Sequence, residues 1–235
     1  MMDQATNPEA VLKATEIILI RHGETAWNAE RRLQGHIDIP LNAQGELQAL
    51  ALGQALKAEN IEAVISSDLL RARQTAQAVI LANQAPTQLS LRLDADLRER
   101  CFGAFEGLTY AELALKYPLE FAAYRKRDTN IPLPDGERKA DSFPQFYQRV
   151  VQALGRWALR FTGKTIVVVA HGGVLECAYR AALQMPLATP RDFDIFNASI
   201  NRFIWQDGEF ALQHWGDVNH LQKEALDELN EKAAA

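Results

Sequence analysis

Two continuous apolar runs, Ile17-Ile18-Leu19-Ile20 and Thr165-Ile166-Val167-Val168-Val169-Ala170, lead into similar short strings, Arg21-His22-Gly23 and His171-Gly172-Gly173. Short β-branched runs without polar alternation are the pattern of strands buried on both faces. Such strands call for a mainly parallel sheet with helices on either side, which restricts the chain to an α/β architecture. In a parallel sheet both runs point the same way, so His22 and His171 emerge at one edge. That carboxyl edge is where open α/β folds place ligands. The alternative is two unrelated histidines at strand ends, each bonded to backbone; their matching neighbours count against it.

The rest of the chain alternates in the same manner. Residues 1–14 read as a polar lead-in. A helical pattern runs from about Gln44 to Ala58 after Asn42, with Leu47, Leu50, Ala51 and Leu56 on its apolar side. Ala63–Ser66 reads as a short strand, and Ser67 or Asp68 is placed to cap a helix from about Leu69 to Asn83. Gln88–Leu93 reads as a strand, Asp141–Phe161 as a long amphipathic helix, and Val174 to about Met185 as another helix. Ser199–Trp205 and Glu209–His214 form a hairpin across Asp207-Gly208, and Leu221–Lys232 reads as a terminal helix. Between Thr109 and Arg138 the character changes. Tyr110, Leu113, Tyr117, Phe121 and Tyr124 are spaced like helix faces broken at Pro118, followed by the loop Ile131–Gly136. The expected fold is a three-layer α/β/α sandwich. It forms a single domain over residues 1–235, with about 100–140 as a small cap insertion.

A length of 235 residues, 48% of them hydrophobic, supports one substantial core. The net charge of −5 argues against sequence-independent nucleic-acid binding, though an arginine cluster can reverse the field inside a cleft. No apolar run approaches membrane-spanning length, and the N-terminus lacks the apolar segment of a signal peptide. Cys101 and Cys177 have no metal or disulfide spacing, so a reduced, cytoplasmic setting is the default. The expected partners include neither nucleic acid nor membrane, and the chain is expected to be a monomer or homodimer.

The chemistry begins at Arg21-His22-Gly23-Glu24-Thr25. An arginine fork fits phosphate oxygens, and a histidine can be a nucleophile toward phosphorus. Gly23 allows the backbone to turn and to approach a ligand closely. Further strings accompany this one. They are Trp27-Asn28, Gln34-Gly35 with Asp38 and Pro40-Leu41, and Ser66-Ser67-Asp68-Leu69-Leu70-Arg71-Ala72-Arg73-Gln74-Thr75-Ala76. Leu97-Arg98-Glu99, Phe102-Gly103, Glu106-Gly107 and His171-Gly172 complete the set.

With these strings the chain, from about Thr15 to His220, resembles the histidine phosphatase superfamily, the phosphoglycerate-mutase-like group. The resemblance implies that His22 is the nucleophile, that Arg21 and Arg71 clamp the phosphoryl oxygens, and that His171, Asn28 and the Gly172 amide assist. His171 should serve best when protonated. Glu99 is implied as the proton donor to the leaving alkoxide; spacing alone would make it an ion-pair partner of Arg98 or Arg100.

Weaker assignments follow for the remaining candidates. Arg73 is expected in a structural ion pair, Glu24 as an orienting carboxylate, Trp27 in the core, and His36, His214 and His220 in loop or surface roles. No metal-ligand spacing is present, so no metal is expected. Arg125, Lys126, Arg127, Arg138 and Lys139 read as a solvated basic face, with recognition of a second anionic group as the alternative.

Within the resemblance, hydrolysis of small phosphomonoesters through a phosphohistidine is the leading activity. The alternatives are phosphoglycerate mutation, an isomerase activity that would use 2,3-bisphosphoglycerate, and a catalytically silent phospholigand-binding protein. The mutase-type insertion with its WRRSYD-like string is missing after Glu99, and the cap is short. The family's common Gly-Glu-Ser reads Gly136-Glu137-Arg138 here, which leaves that segment's part in the pocket open.

Overall fold

A computed structural model describes residues 13–84, 89–128, 131–222 and 225–227. Six strands form one mixed sheet: β1 (Thr15–Arg21), β2 (Ile61–Ser66), β3 (Leu91–Leu93), β4 (Thr165–Ala170), β5 (Ile200–Gln206) and β6 (Glu209–Asp217), in the order β3-β2-β4-β1-β5-β6. The pairs β1–β4, β2–β4 and β2–β3 are parallel, and β5 and β6 close one side antiparallel.

The central strands lack polar alternation because both their faces are covered. Ile17 and Leu19 of β1, with Ile166 and Val168 of β4, pack under α6 (Phe143–Arg160) and α7 (Gly172–Ala182). Ile18, Ile20, Val167 and Val169 face α2 (Ala43–Ala55) and α3 (Leu70–Ala82) on the other side. The expected α/β/α layering is therefore present. Helix α2 follows β1 on one face and α7 follows β4 on the other, although β1 and β4 are neighbours. The chain thus diverges at their carboxyl ends and opens a crevice there.

The short helix α1 (Ala26–Ala29) follows β1, and α4 (Tyr110–Lys116) and α5 (Pro118–Lys126) lie in the 100–140 stretch. Phe105, Leu113, Tyr124 and Leu133 form a third apolar cluster, separate from the two under the sheet. Pro118 opens α5, where its missing N–H is no loss.

Several boundaries and faces differ from expectation. Leu47 and Leu50 of α2 are exposed, and the helix buries Gly45, Gln48, Ala49, Leu52 and Gly53 instead. The first turn of α3 is capped from a distance, by the Asp38 carboxylate accepting from Leu70 N at 2.6 Å. Ser67 Oγ accepts from Leu69 N at 3.3 Å, and Asp68 is engaged by Arg98. The expected Gln88–Leu93 strand is limited to Leu91–Leu93, and residues 85–88 lie outside the described residues. Most of the expected Leu221–Lys232 helix, and most of the lead-in, also lie outside them; 221–222 and 225–227 are not helical. The hairpin forms as expected, with both Asp207 and Gly208 at positive φ, as a primed two-residue turn requires.

Candidate active site

The carboxyl ends of β1 and β4 are held in register by Arg21 opposite Ala170, so His22 and His171 leave the sheet side by side. Their rings meet edge to face with centroids 5.2 Å apart. A cleft opens over them, lined by Arg21, His22, Asn28, Arg71, Glu99 and Gly172 among others. These residues come from four separate stretches of the chain. His171 itself is fully buried behind the cleft and is not among its lining residues.

The His22 ring has one nitrogen committed. Its Nδ1 lies 2.7 Å from the Gly23 carbonyl, which can only accept, so Nδ1 carries the proton. Nε2 is then left with its lone pair. Burial, followed by the charges of Arg71 and Arg21, holds the ring well below the usual imidazole pKa. His22 is therefore neutral near pH 7, the state in which an imidazole is a nucleophile.

His171 is also held well below the usual value, by burial first and then by Arg71, His22, His36 and Arg21. In the ligand-free protein the ring is therefore neutral, and the protonated form in which it would serve best is not the resting one. Its Nε2 lies 2.8 Å from Ser67 Oγ. Nδ1 has no hydrogen-bond partner among the described residues.

Both clamp arginines are fixed by backbone carbonyls. Arg21 Nη1 donates to Ile195 O at 2.6 Å. Arg71 donates to Ile37 O at 3.0 Å and Gly35 O at 2.9 Å. Burial lowers Arg71 to about 10, which leaves it charged at neutral pH. Asn28 closes a capping box with Thr25, in which its Oδ1 accepts from Thr25 N and Oγ1. That turns its Nδ2 donor away from the Thr25 backbone.

Glu99 is buried rather than a surface ion-pair partner. Its carboxylate accepts from Arg100 N at 2.7 Å and from Gly173 N, in the first turn of α7, at 3.0 Å. Its carbonyl accepts from His36 Nε2 at 2.8 Å and Arg149 Nη2 at 3.3 Å. The two arginines suspected of pairing with it are occupied elsewhere. Arg98 grips Asp68 with two 2.6 Å bonds, and Arg100 Nε donates to Asp141 O.

Other assignments change as well. Trp27, expected in the core, is half-buried and lines the cleft beside Arg32. Arg73 is exposed and makes no ion pair among the described residues. Glu24, expected as an orienting carboxylate rather than a catalyst, keeps that assignment: it accepts from Asn42 Nδ2 at 2.8 Å and does not line the cleft. The basic cap residues separate: Arg127 pairs with Glu176, Arg138 lies 3.6 Å from Glu106, and Lys126 and Lys139 are exposed. Arg138 thus reaches a carboxylate that already accepts from His36 N and Phe102 N, away from the cleft lining.

Sequence reasoning missed the supports. Asn197 Nδ2 donates to the His22 carbonyl at 3.0 Å, and Thr75 Oγ1 accepts from Gly23 N at 3.0 Å. Neither carries a local signal, since each acts across the fold. Arg31, Tyr110 and Asp227 also line the cleft. Among the described residues, no three His, Cys, Asp or Glu are grouped to hold a metal ion, and no helix is long and apolar enough to cross a membrane.

Comparison with known proteins adds an independent finding. The family model for the histidine phosphatase superfamily (branch 1) matches residues 17–218. A phosphoglycerate mutase-like protein 4 of Arabidopsis thaliana is 40% identical over 210 residues, 88% of this chain and 87% of the relative. A metal-independent phosphoserine phosphatase of the same plant is 37% identical over 210 residues, covering 89% and 84%. Among solved structures, phosphoserine phosphatase from Entamoeba histolytica in complex with 3-phosphoglyceric acid superposes with a TM-score of 0.75 at 30% identity, covering 88% of this chain and 98% of that one.

Proposed function

The chain belongs to the histidine phosphatase superfamily, branch 1, and is an enzyme of that family; from this we propose that it hydrolyses small phosphomonoesters through a phosphohistidine on His22. The observation that carries the reading is the His22 ring. It is neutral, donates Nδ1–H to Gly23 O, and shares the cleft with two buried guanidiniums and Glu99.

In the first step His22 Nε2 attacks phosphorus and the P–O bond to the alcohol breaks. Glu99 gives its proton to the departing oxygen. The charge of a bound phosphoryl group favours the protonated form of a neighbouring carboxyl, which prepares that role. Arg21, Arg71, Asn28 and the Gly172 amide hold the three transferring oxygens, so the developing charge meets donors already in place, and His171 would join them through its Nδ1, which has no partner among the described residues. In the second step water attacks the phosphohistidine and passes its proton to the Glu99 carboxylate. The N–P bond breaks, His22 recovers its lone pair, and phosphate leaves.

Two fixed guanidiniums supply the charge that Mg²⁺ supplies in other phosphoryl-transfer sites, so no metal is required. Similarity to a metal-independent phosphoserine phosphatase supports this, and similarity to a phosphoglycerate mutase-like protein keeps mutation as the second reading. We also read the chain as one domain, with residues 100–140 as a cap.

The test is phosphate release from phosphoserine and 3-phosphoglycerate by enzyme dialysed against EDTA. Free phosphate from either substrate is expected. Conversion of 3-phosphoglycerate to 2-phosphoglycerate without phosphate release, dependent on added 2,3-bisphosphoglycerate, would favour the mutase. Activity that vanished with EDTA and returned with one divalent ion would overturn metal independence.

A further inference from the structure

The cleft holds more positive charge than a phosphoryl group requires. Arg21 and Arg71 are buried and aimed by backbone carbonyls. Arg32 is spent on structure, donating to Glu30, Glu112 and the Gly107 carbonyl. Arg31 also lines the cleft, is exposed, and its guanidinium has no hydrogen bond or ion pair among the described residues.

Arg31 occupies an unusual backbone position. It follows the last turn of α1 at φ 55°, where its N–H donates to Asn28 O. Glycine is the usual residue at such a left-handed helix end, because a Cβ is disfavoured there. The Arg31 carbonyl accepts from Tyr110 N at 3.3 Å, tying this residue to the start of α4. A strained non-glycine backbone beside a site points to a retained use of the side chain.

Arg31 and Tyr110 also line a second cavity, of about 650 Å³, whose walls include Ala111, Ala114 and Phe121. They therefore stand where the cleft adjoins this second cavity, which offers room for the alcohol part of a substrate. A single guanidinium matches a single carboxylate in charge and in its two-pronged geometry. Asp227, the other acidic group lining the cleft besides Glu99, already accepts from Ile195 N and lies 3.4 Å from Arg191.

We propose that Arg31 is a specificity-determining residue that binds a carboxylate on the leaving alcohol, so that the enzyme selects phosphomonoesters of hydroxy acids. The inference rests on the phosphatase reading for the position of the phosphoryl group.

The test uses substrate pairs that differ by the carboxylate: phosphoserine against O-phosphoethanolamine, and 3-phosphoglycerate against glycerol 3-phosphate. The ratio of kcat/KM within each pair is measured for the wild type, Arg31→Gln and Arg31→Gly. The wild type should favour the carboxylate member by about tenfold or more, and both variants should bring the ratio near one. Arg31→Gly relieves the backbone, so its Tm should rise by about 2–4 °C, which separates lost recognition from lost folding. Binding of the same four compounds is followed by calorimetry. If none were turned over but Arg31→Gln still abolished the binding preference, the phosphatase reading would fail while Arg31 remained the carboxylate-binding residue. A wild type without preference, or a preference unchanged in both variants, overturns it.

Discussion

Gly173→Ala is a one-carbon change that should disable the proton donor while sparing the fold. A Cβ at Gly173 would lie 2.2 Å from Glu99 Oε1 and 2.9 Å from the Phe146 ring. Ordinary contact needs roughly 3.4 Å or more, so the carboxylate must move by about 1 Å. The 3.0 Å bond from Gly173 N to Glu99 Oε2 is then lost or bent. A misplacement of that size costs on the order of 10²-fold in rate, about 2.7 kcal/mol of barrier. Stability should fall only modestly: the buried Phe146 ring must shift, which costs about 1–3 kcal/mol, against which alanine gains about 1 kcal/mol over glycine in a helix. The assay compares an alkyl substrate, phosphoserine, with the nitrophenolate burst from p-nitrophenyl phosphate. Nitrophenolate leaves without a proton, so its burst should fall far less than alkyl turnover. Unchanged alkyl turnover, or equal loss on both substrates in a protein of normal Tm, would refute the placement of Glu99.

Three further outcomes follow from buried charges and rings. Burial depresses the pKa of both His22 and His171, so below about pH 6.5 the unfolded chain takes up protons that the folded one refuses, and stability must fall with pH. Between pH 7 and 5.5 the loss should be about 1 kcal/mol for each ring; urea titrations showing stability rising over that window would contradict the neutral assignments. Glu176 lies between Arg127 and Arg180 and is almost wholly buried, so Glu176→Leu should cost about 3–5 kcal/mol by leaving Arg180 uncompensated; a Tm within 2 °C of the wild type would contradict this. Asp38→Ala removes the remote cap of α3 and should cost about 1 kcal/mol in chemical denaturation, whereas a neutral result would show that Leu70 N finds another acceptor.

The α/β/α layering was legible because burial on both faces leaves a run with no polar alternation, and β1 and β4 are such runs. The meeting of His22 and His171 follows from that parallel pairing, with no further information needed. The face of α2 was misread because leucines were taken as the guide to burial. Close approach decides it instead: a Cβ at Gly45 would lie 2.0 Å from Glu24 O, and one at Gly53 would lie 2.6 Å from Ala78 O. Gln48 goes inside with them because its Oε1 accepts from Glu24 N. Asn197 was invisible, and the roles of Thr75 and Asp38 unreadable although both stand in the motif strings, for a related reason. Each bonds a backbone group far away in sequence, and no local pattern encodes such a partner. Glu99 was ambiguous from spacing, since its neighbours are arginines. Only the fold reveals that Asp68 and Asp141 occupy them.

The central claim is a covalent bond between phosphorus and His22 Nε2. Its most direct test is to mix the enzyme with phosphoserine, quench in alkali within milliseconds, and locate the phosphoryl group by peptide mass spectrometry. The account predicts an acid-labile, alkali-stable modification on His22, absent from His22→Ala and accumulating in Glu99→Gln when p-nitrophenyl phosphate, whose leaving group needs no proton, replaces phosphoserine. A phosphoryl group found on another residue, or substrate turnover at wild-type rate by His22→Ala, would contradict it.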